Sequence, residues 1–169
     1  MLSKKLQDAL NEQMKNEFYS AYIYKGMQAY FEGEELKGFA NWFRVQTLEE
    51  LSHGEKFFNF IAGAGGKADL RPLDAVKAEY KSPLDAFEAA LKHEQFVTSR
   101  INDLMDLARK ESNHAAQIFL QWFVTEQVEE EATAAGYVRK LKMVKGDGRG
   151  VLLLDQEAGQ RVFTPPPGM

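Results

Sequence analysis

The chain of 169 residues contains no cysteine, which excludes structural disulfides and any iron site built from four cysteines. It also lacks a long apolar stretch after its amphipathic N-terminal segment, so we expect no signal peptide, no membrane span and a cytoplasmic location. The formal net charge is only −4, which does not suggest a nucleic-acid partner. Apolar residues make up 44% of the chain and aromatic residues 12%, enough for one domain with a substantial core.

Four segments have apolar side chains at alternating steps of three and four residues, the pattern of helices that pack in a bundle. The predicted helices are 3–32, 36–64, 83–111 and 114–144. Polar side chains interrupt the apolar face of each helix near its middle, and in the second helix the interruption begins at Gln46. The interrupting residues of the four helices are Glu17, Glu50, His53, Glu94, Gln127 and Glu130.

These interruptions all lie near the middle of their helices. The middle of each helix is at the same height in a bundle whichever way the helix runs, so the interrupting residues should meet in one layer. An ionised carboxylate in an apolar core costs several kcal/mol, and several together also repel one another. No Lys or Arg occupies the apolar face of any of the four helices, so we expect a bound cation to balance the charge. Carboxylates with one imidazole suit iron or manganese better than zinc, and the sequence therefore predicts a metal pair.

The spacing of the second and fourth interruptions supports this prediction, because residues three apart share one helical face. Glu50 and His53 have this spacing, and so do Gln127 and Glu130. Ferritin-like di-iron proteins place a Glu on each of two helices and Glu-x-x-His on each of the other two. The chain matches this arrangement on its first three predicted helices and departs from it on the fourth. It resembles prokaryotic non-haem ferritins in segments along nearly its whole length, namely 16–22, 36–39, 49–53, 119–123 and 126–131.

The resemblance implies an iron-storage protein with ferroxidase activity. It would oxidise Fe²⁺ with O₂ or H₂O₂ at a di-iron centre within each subunit and deposit Fe³⁺ mineral inside a hollow shell of 24 subunits. Tyr24 would be the tyrosine beside the ferroxidase centre. Glu49, Glu126 and Glu129 would form a third iron site with Glu130 on the cavity side.

The connections predict an all-α, ferritin-like four-helix bundle with one long crossover. The linker from Gly65 to Ser82 can extend over about 55–60 Å, which exceeds the length of about 42 Å of a helix of this size. It can therefore join parallel second and third helices, and Ser82 before Pro83 is a suitable helix start. We expect the bundle to occupy 1–145, and 146–169 to form a short fifth helix and a tail.

Several alternatives remain at the level of single residues. Gln127 is nearly as well explained as a core amide bonded to a neighbour, and Tyr24 as an ordinary core tyrosine whose hydroxyl needs a partner. Glu49, Glu126 and Glu129 fit a solvated acidic face as well. His93 and His114 lie beside or before the apolar faces and are expected on the surface.

Alternative functions separate on particular residues. A bacterioferritin would bind haem through a methionine just before the histidine of the second helix, where this chain has Ser52, so no haem is expected. A rubrerythrin-like peroxidase would need cysteines, and a DNA-protecting mini-ferritin would share its iron ligands between subunits. A helical bundle without chemistry would tolerate Leu at the mid-helix acids and gain stability from it.

Overall fold

The computed structural model describes residues 2–166, which contain five α-helices and no strand. The helices are α1 Lys4–Gly33, α2 Lys37–Gly63, α3 Pro83–Lys110, α4 His114–Val144 and α5 Gly148–Ala158. The predicted bounds of the first four helices agree with these within one residue at every end. The predicted fifth helix is present as α5, and the last three residues of the predicted tail lie outside the described part.

Side-chain caps start most of the helices. The hydroxyl of Ser3 accepts a hydrogen bond from the Leu6 amide at the start of α1. Ser82 does the same for the Asp85 amide at 3.1 Å, with Pro83 as the first helical residue, as predicted. The N-cap of α2 has no side-chain cap of its own, and this end is completed by a residue from α5.

Contacts between helices define the topology. The rings of Phe31 and Phe39 lie 5.2 Å apart, so the end of α1 meets the start of α2 and the two helices are antiparallel. Phe31 also contacts Phe87 near the start of α3, at 6.0 Å between ring centroids, so α3 is antiparallel to α1 as well. Helices α2 and α3 are therefore parallel. Residues 64–82 connect them without helix or strand, which confirms the predicted crossover.

The apolar core is divided into two clusters along the bundle axis. One cluster contains Phe43 and Phe87 and fills the end where α1 meets α2. The other contains Leu10 and Phe57 and fills the opposite end. Between them lies a layer of buried polar side chains, which we call the polar belt. Its ionisable members are Glu17, Glu50, His53, Glu94 and Glu130.

Helix α5 packs against the start of α2. The Asp155 carboxylate accepts a hydrogen bond of 2.8 Å from the Phe39 amide. Gly38 lies so close to α5 that a Cβ there would collide with the Asp155 carbonyl group. Ala158 is fully buried, whereas Leu152 and Leu153 stay exposed. Within the described range, no helix has the length and apolar character needed to cross a membrane.

Candidate metal centre

The centre of the polar belt is a group of three potential metal ligands from α1 and α2. The Nδ1 atom of His53 lies 3.3 Å from Oε2 of Glu50 and 3.9 Å from Oε2 of Glu17. One ligand atom from each of the three residues lies within 4.8 Å of the others. None of the three is more than 2% exposed. The spacing of Glu50 and His53 on α2 therefore brings both side chains to one point, as the sequence predicted.

Glu94 brings a carboxylate from α3 into the same belt. The Tyr24 hydroxyl donates a hydrogen bond to Oε1 of Glu94. The amide of Gln127 donates to Oε2 of Glu94 at 3.1 Å and to its backbone carbonyl at 3.2 Å. Both residues thus contact Glu94 directly, and Gln127 has the amide contact that was the alternative to ligation.

Glu130 supplies the carboxylate of α4. Its Oε2 atom accepts a hydrogen bond of 2.6 Å from the amide of Gln46. Glu130 also forms a second group of potential ligands with His53 and Glu126, again with all ligand atoms within 4.8 Å of one another. Because His53 belongs to both groups, the two clusters of potential ligands are continuous across the bundle.

The belt acids have unusual proton affinities. Burial raises the pKa of Glu17, Glu50 and Glu130 well above the ordinary value and also raises the pKa of Glu94. The negative charge of neighbouring acids adds to this, since Glu50 raises the pKa of Glu17 and Glu94 raises that of Glu50. Burial likewise raises the pKa of Tyr24. Without cations the belt therefore favours protonated carboxyl groups, and a metal ion would replace protons.

Two glutamines complete the support of the ligands, and the sequence alone predicted a role for neither. Gln13 donates a hydrogen bond of 2.8 Å to Oε1 of Glu17 from one turn earlier on α1. Gln46 interrupts the apolar face of α2, which was the available signal for it. Gln13 is buried on α1, and its available signal is its spacing of three residues from Leu10 and four from Glu17.

Residues 7–144 match the Ferritin-like domain family. The chain belongs to the ferritin family. It is 40% identical over 163 residues to a bacterial non-heme ferritin of Staphylococcus aureus, covering 96% of this chain and 98% of that one. It is 42% identical over 161 residues to a bacterial non-heme ferritin of Bacteroides fragilis, covering 95% and 100%.

Solved structures of archaeal ferritins have the same fold. An open-pore ferritin from Archaeoglobus fulgidus has a TM-score of 0.95 and 46% identity, and the match covers 96% of this chain and all of that one. A humanized archaeal ferritin has a TM-score of 0.96 and 47% identity, with 98% of this chain covered. As a member of this family, the ferritin stores iron, has a general role in iron oxidation and forms a cage of identical subunits.

The acids of the possible third site are only partly brought together in this ferritin. Glu126 lies in the cluster with His53 and Glu130, whereas Glu129 is exposed and outside that cluster. Glu49 pairs with Arg161, and burial raises its pKa while the charges of Arg161 and His53 lower it. Glu49 and Glu126 line a cavity of about 180 Å³ with residues of the C-terminal segment.

The two other histidines of the ferritin differ from each other. His114 is exposed at the start of α4, as expected. His93 is half-buried where a surface position was expected, since its Nε2 lies 2.8 Å from the Ser20 hydroxyl oxygen and its ring packs edge-on against Tyr24. Burial lowers the pKa of His93 to about 4. The small side chain of Ser20 gives this imidazole space between α1 and α3.

Proposed function

We propose that this ferritin is a ferroxidase whose di-iron centre is the polar belt. Carboxylates from four helices and one imidazole lie in one buried layer, and no Lys or Arg of the described residues is buried there. This buried and uncompensated acidic layer is the observation that supports the proposal. The proposed Fe²⁺ ligands are Glu17, Glu50, His53, Glu94 and Glu130.

Two Fe²⁺ ions are the substrate of the reaction. Each gives one electron, so that O₂ is reduced to H₂O₂ with two protons, or H₂O₂ is reduced to two waters with two protons. Glu50 would be the carboxylate shared by the two ions, because it lies with Glu17 and His53 and also interacts with the charge of Glu94. In two-metal sites the ions lie about 3.5–4 Å apart. Carboxyl protons displaced by Fe²⁺ provide a local source of protons for this reduction.

The neutral donors around the belt hold the ligand oxygens in place before iron arrives. Gln13 holds Glu17, Gln46 holds Glu130, and Gln127 with Tyr24 holds Glu94. Such partners orient ligands and limit the loss of side-chain freedom on metal binding. We propose that Gln127 acts mainly through this bond and at most as a weak ligand. The second iron is then held less tightly, which favours release of the oxidised product.

We further propose that the product passes to the acids on the cavity side, Glu49, Glu126 and Glu129, which act with Glu130 as a third iron site. Fe³⁺ would then hydrolyse and form mineral in a shell of 24 subunits. Haem is not part of this proposal, because Ser52 stands where a methionine ligand would be needed. The division into 1–145 and 146–169 and the cytoplasmic location stay predictions.

Aerobic addition of Fe²⁺ to the purified protein tests the proposal. The ferric absorbance and the sedimentation of the particle are followed in the same samples. We expect a large particle that becomes coloured and oxidises Fe²⁺ much faster than buffer does. A large particle that binds Fe²⁺ but oxidises it no faster than buffer would remove the ferroxidase proposal while leaving the family assignment intact.

A further inference from the structure

One cationic side chain from outside the bundle reaches the edge of the belt. Arg161 lies three residues beyond the end of α5, and its guanidinium stacks over the ring of Trp42 at 4.5 Å. Its backbone carbonyl accepts a hydrogen bond of 2.9 Å from the Asn41 amide, and Asn41 also bonds the carbonyl of Gly159. These contacts fix the C-terminal segment along α2 and determine where the guanidinium lies.

The guanidinium uses two different nitrogens for two partners, Gln46 in the belt and Glu49 beside it. One nitrogen donates a hydrogen bond to Oε1 of Gln46 and the other to Oε2 of Glu49. The side chains of Arg161 and Glu49 are only 22% and 19% exposed, so water screens this ion pair weakly. A planar guanidinium can hold both partners at once, which a lysine ammonium does less well.

The contact with Gln46 connects Arg161 to the proposed di-iron centre. Gln46 accepts from Arg161 through its oxygen and donates to Oε2 of Glu130 through its nitrogen. The amide orientation is therefore fixed by a cation on one side and a carboxylate on the other. Glu130 belongs to both proposed iron sites, so Arg161 lies one side chain away from the residue that joins them.

We propose that Arg161 is a resident counter-ion of the third iron site, and that iron occupies this site by displacing the guanidinium from Glu49. The inference rests on the proposed function, because it assumes that Glu49 receives iron. A guanidinium held at Oε2 of Glu49 and an iron ion on the same carboxylate would repel each other, so the step exchanges one cation for another. When iron leaves toward the cavity, Arg161 pairs with Glu49 again.

This exchange gives Arg161 a defined effect on affinity. The third site holds iron less tightly than its acids alone would, because binding must break a partly buried, charge-assisted pair. Weak retention suits a site through which iron passes. Arg161 is thus a positioning residue that favours transfer over storage at this point, and its loss converts the site into a place where iron stays.

Anaerobic titration calorimetry of the assembled protein with Fe²⁺ tests the inference, because no oxidation takes place. We expect one tight class of sites for the di-iron centre and one weaker class for the third site. In Arg161→Gln, the weaker class should tighten by about five- to tenfold, as expected for loss of a partly exposed charged hydrogen bond. The tight class should change by less than about twofold, since its ligands stay in place.

Further variants separate charge from packing. Arg161→Lys keeps a cation beside Glu49, so the Fe²⁺ affinity of its weaker class of sites should stay within about twofold of that of the parent protein. Arg139→Gln removes a positive charge from an exposed position of α4 and should leave the Fe²⁺ affinities of both classes of sites unchanged. Glu49→Gln should remove the weaker class. Arg161→Met provides a second neutral variant in case Arg161→Gln fails to assemble, as judged by sedimentation.

The outcomes are distinct. An unchanged weaker class in the neutral variants overturns the counter-ion proposal. So does an Arg161→Lys variant that tightens as much as Arg161→Gln, because the effect would then come from packing of the C-terminal segment. A parent protein without a tight class contradicts the proposed di-iron centre itself, and a weaker class that survives Glu49→Gln contradicts the third site.

Discussion

Most belt carboxylates have a neutral hydrogen-bond donor as a neighbour, and the central one has a histidine. Glu17, Glu94 and Glu130 accept from amides, and Glu94 accepts from a tyrosine as well. Glu50 lies beside His53, and burial raises its pKa while a side-chain hydrogen bond from Gln46 lowers it. Amide and hydroxyl donors use one lone pair and leave others for a metal, so the acids can be held in place and remain available.

Removal of a central ligand should abolish the chemistry and spare the particle. In Glu50→Ala or His53→Ala we expect rapid Fe²⁺ oxidation to fall at least about a hundredfold, because ligand loss exceeds the effect of losing an outer partner. Assembly should persist, since both side chains lie inside the subunit. Stopped-flow ferric absorbance and sedimentation measure the two properties. Rapid oxidation in both variants would exclude this pair as ligands.

We expect the hydroxyl of Tyr24 to have a smaller but specific role in the proposed reaction. In Tyr24→Phe the ring can keep its place in the core, whereas Glu94 loses one donor. We expect the rate of Fe²⁺ oxidation to fall by about tenfold, within the usual range for a partner of a metal ligand. Tyr30→Phe is the matched control, because Tyr30 packs on the same cluster away from the belt. Equal rates in the two variants would remove this role.

The proposed ligands could be selected from the sequence because each one interrupts a regular apolar face. These residues lie near the middle of their helices, and mid-helix positions share one height in a bundle whichever direction each helix runs. Arg161 could not be predicted in the same way, since its partner Glu49 lies 112 residues earlier and no periodicity links a tail to a helix. The partial burial of His93 could not be predicted for a related reason, because its contact with Ser20 lies on another helix.

At the scale of elements, α2 and α5 depend on each other. The first turn of α2 has unpaired amides and no side-chain cap from its own segment. The Asp155 carboxylate supplies one acceptor from α5, and Gly38 permits the close approach. The sequence predicted both helices, but it did not predict this contact, because Phe39 and Asp155 are 116 positions apart.

Loss of this shared cap should weaken both helices. We expect Asp155→Ala to lower the free energy of unfolding by about 1 kcal/mol per subunit, the usual value of an N-terminal cap. Asp155→Asn should lower it less, since the amide oxygen still accepts from Phe39. Chemical denaturation monitored by circular dichroism measures both. A value for Asp155→Ala equal to that of the parent would show that α5 contributes no capping.

At the scale of the whole molecule, the cage must cover apolar surface that one subunit leaves open. A groove of about 530 Å³ between α1, α2 and the crossover is lined by apolar side chains, including Leu70 and Leu73. These two are 72% and 41% exposed in the single subunit. Such a patch marks a contact between proteins. We therefore expect it to lie in an interface of the cage.

Charges placed in this groove should disrupt assembly without unfolding the subunit. In the double variant Leu70→Glu, Leu73→Glu the carboxylates would be buried without partners, at a cost of several kcal/mol per contact. We expect small species in sedimentation with unchanged helical content by circular dichroism. Met at both positions is the control and should keep the cage. Intact cages in the Glu variant would place this groove outside the interfaces.

The belt also makes the stability of the whole protein depend on pH and metal. Because burial raises the pKa of Glu17, Glu50 and Glu130, the folded protein binds more protons than the unfolded chain above the ordinary value of 4.5. Stability from the neutral carboxyls is complete below that pH and is lost as pH rises toward the folded pKa values. Metal-free protein should therefore be less stable at pH 7.5 than at pH 5, by at least about 1 kcal/mol.

Scanning calorimetry with and without a redox-inert divalent cation measures this dependence. The cation should raise the unfolding temperature more at pH 7.5 than at pH 5, since it needs deprotonated ligands. Glu17→Gln with Glu130→Gln should flatten the pH dependence of the metal-free protein. A metal-free parent whose unfolding temperature rises from pH 5 to pH 7.5 would contradict the expected loss of stability.

Because the core is divided into two apolar clusters, the subunit has a polar layer at its centre. The hydrophobic effect stabilises each apolar cluster, but it contributes little in the polar layer that joins them. Bound iron ions would cross-link the four helices at this layer. A subunit without metal is then expected to open first at its centre. Iron that passes through the site would also stabilise the subunits that form the cage.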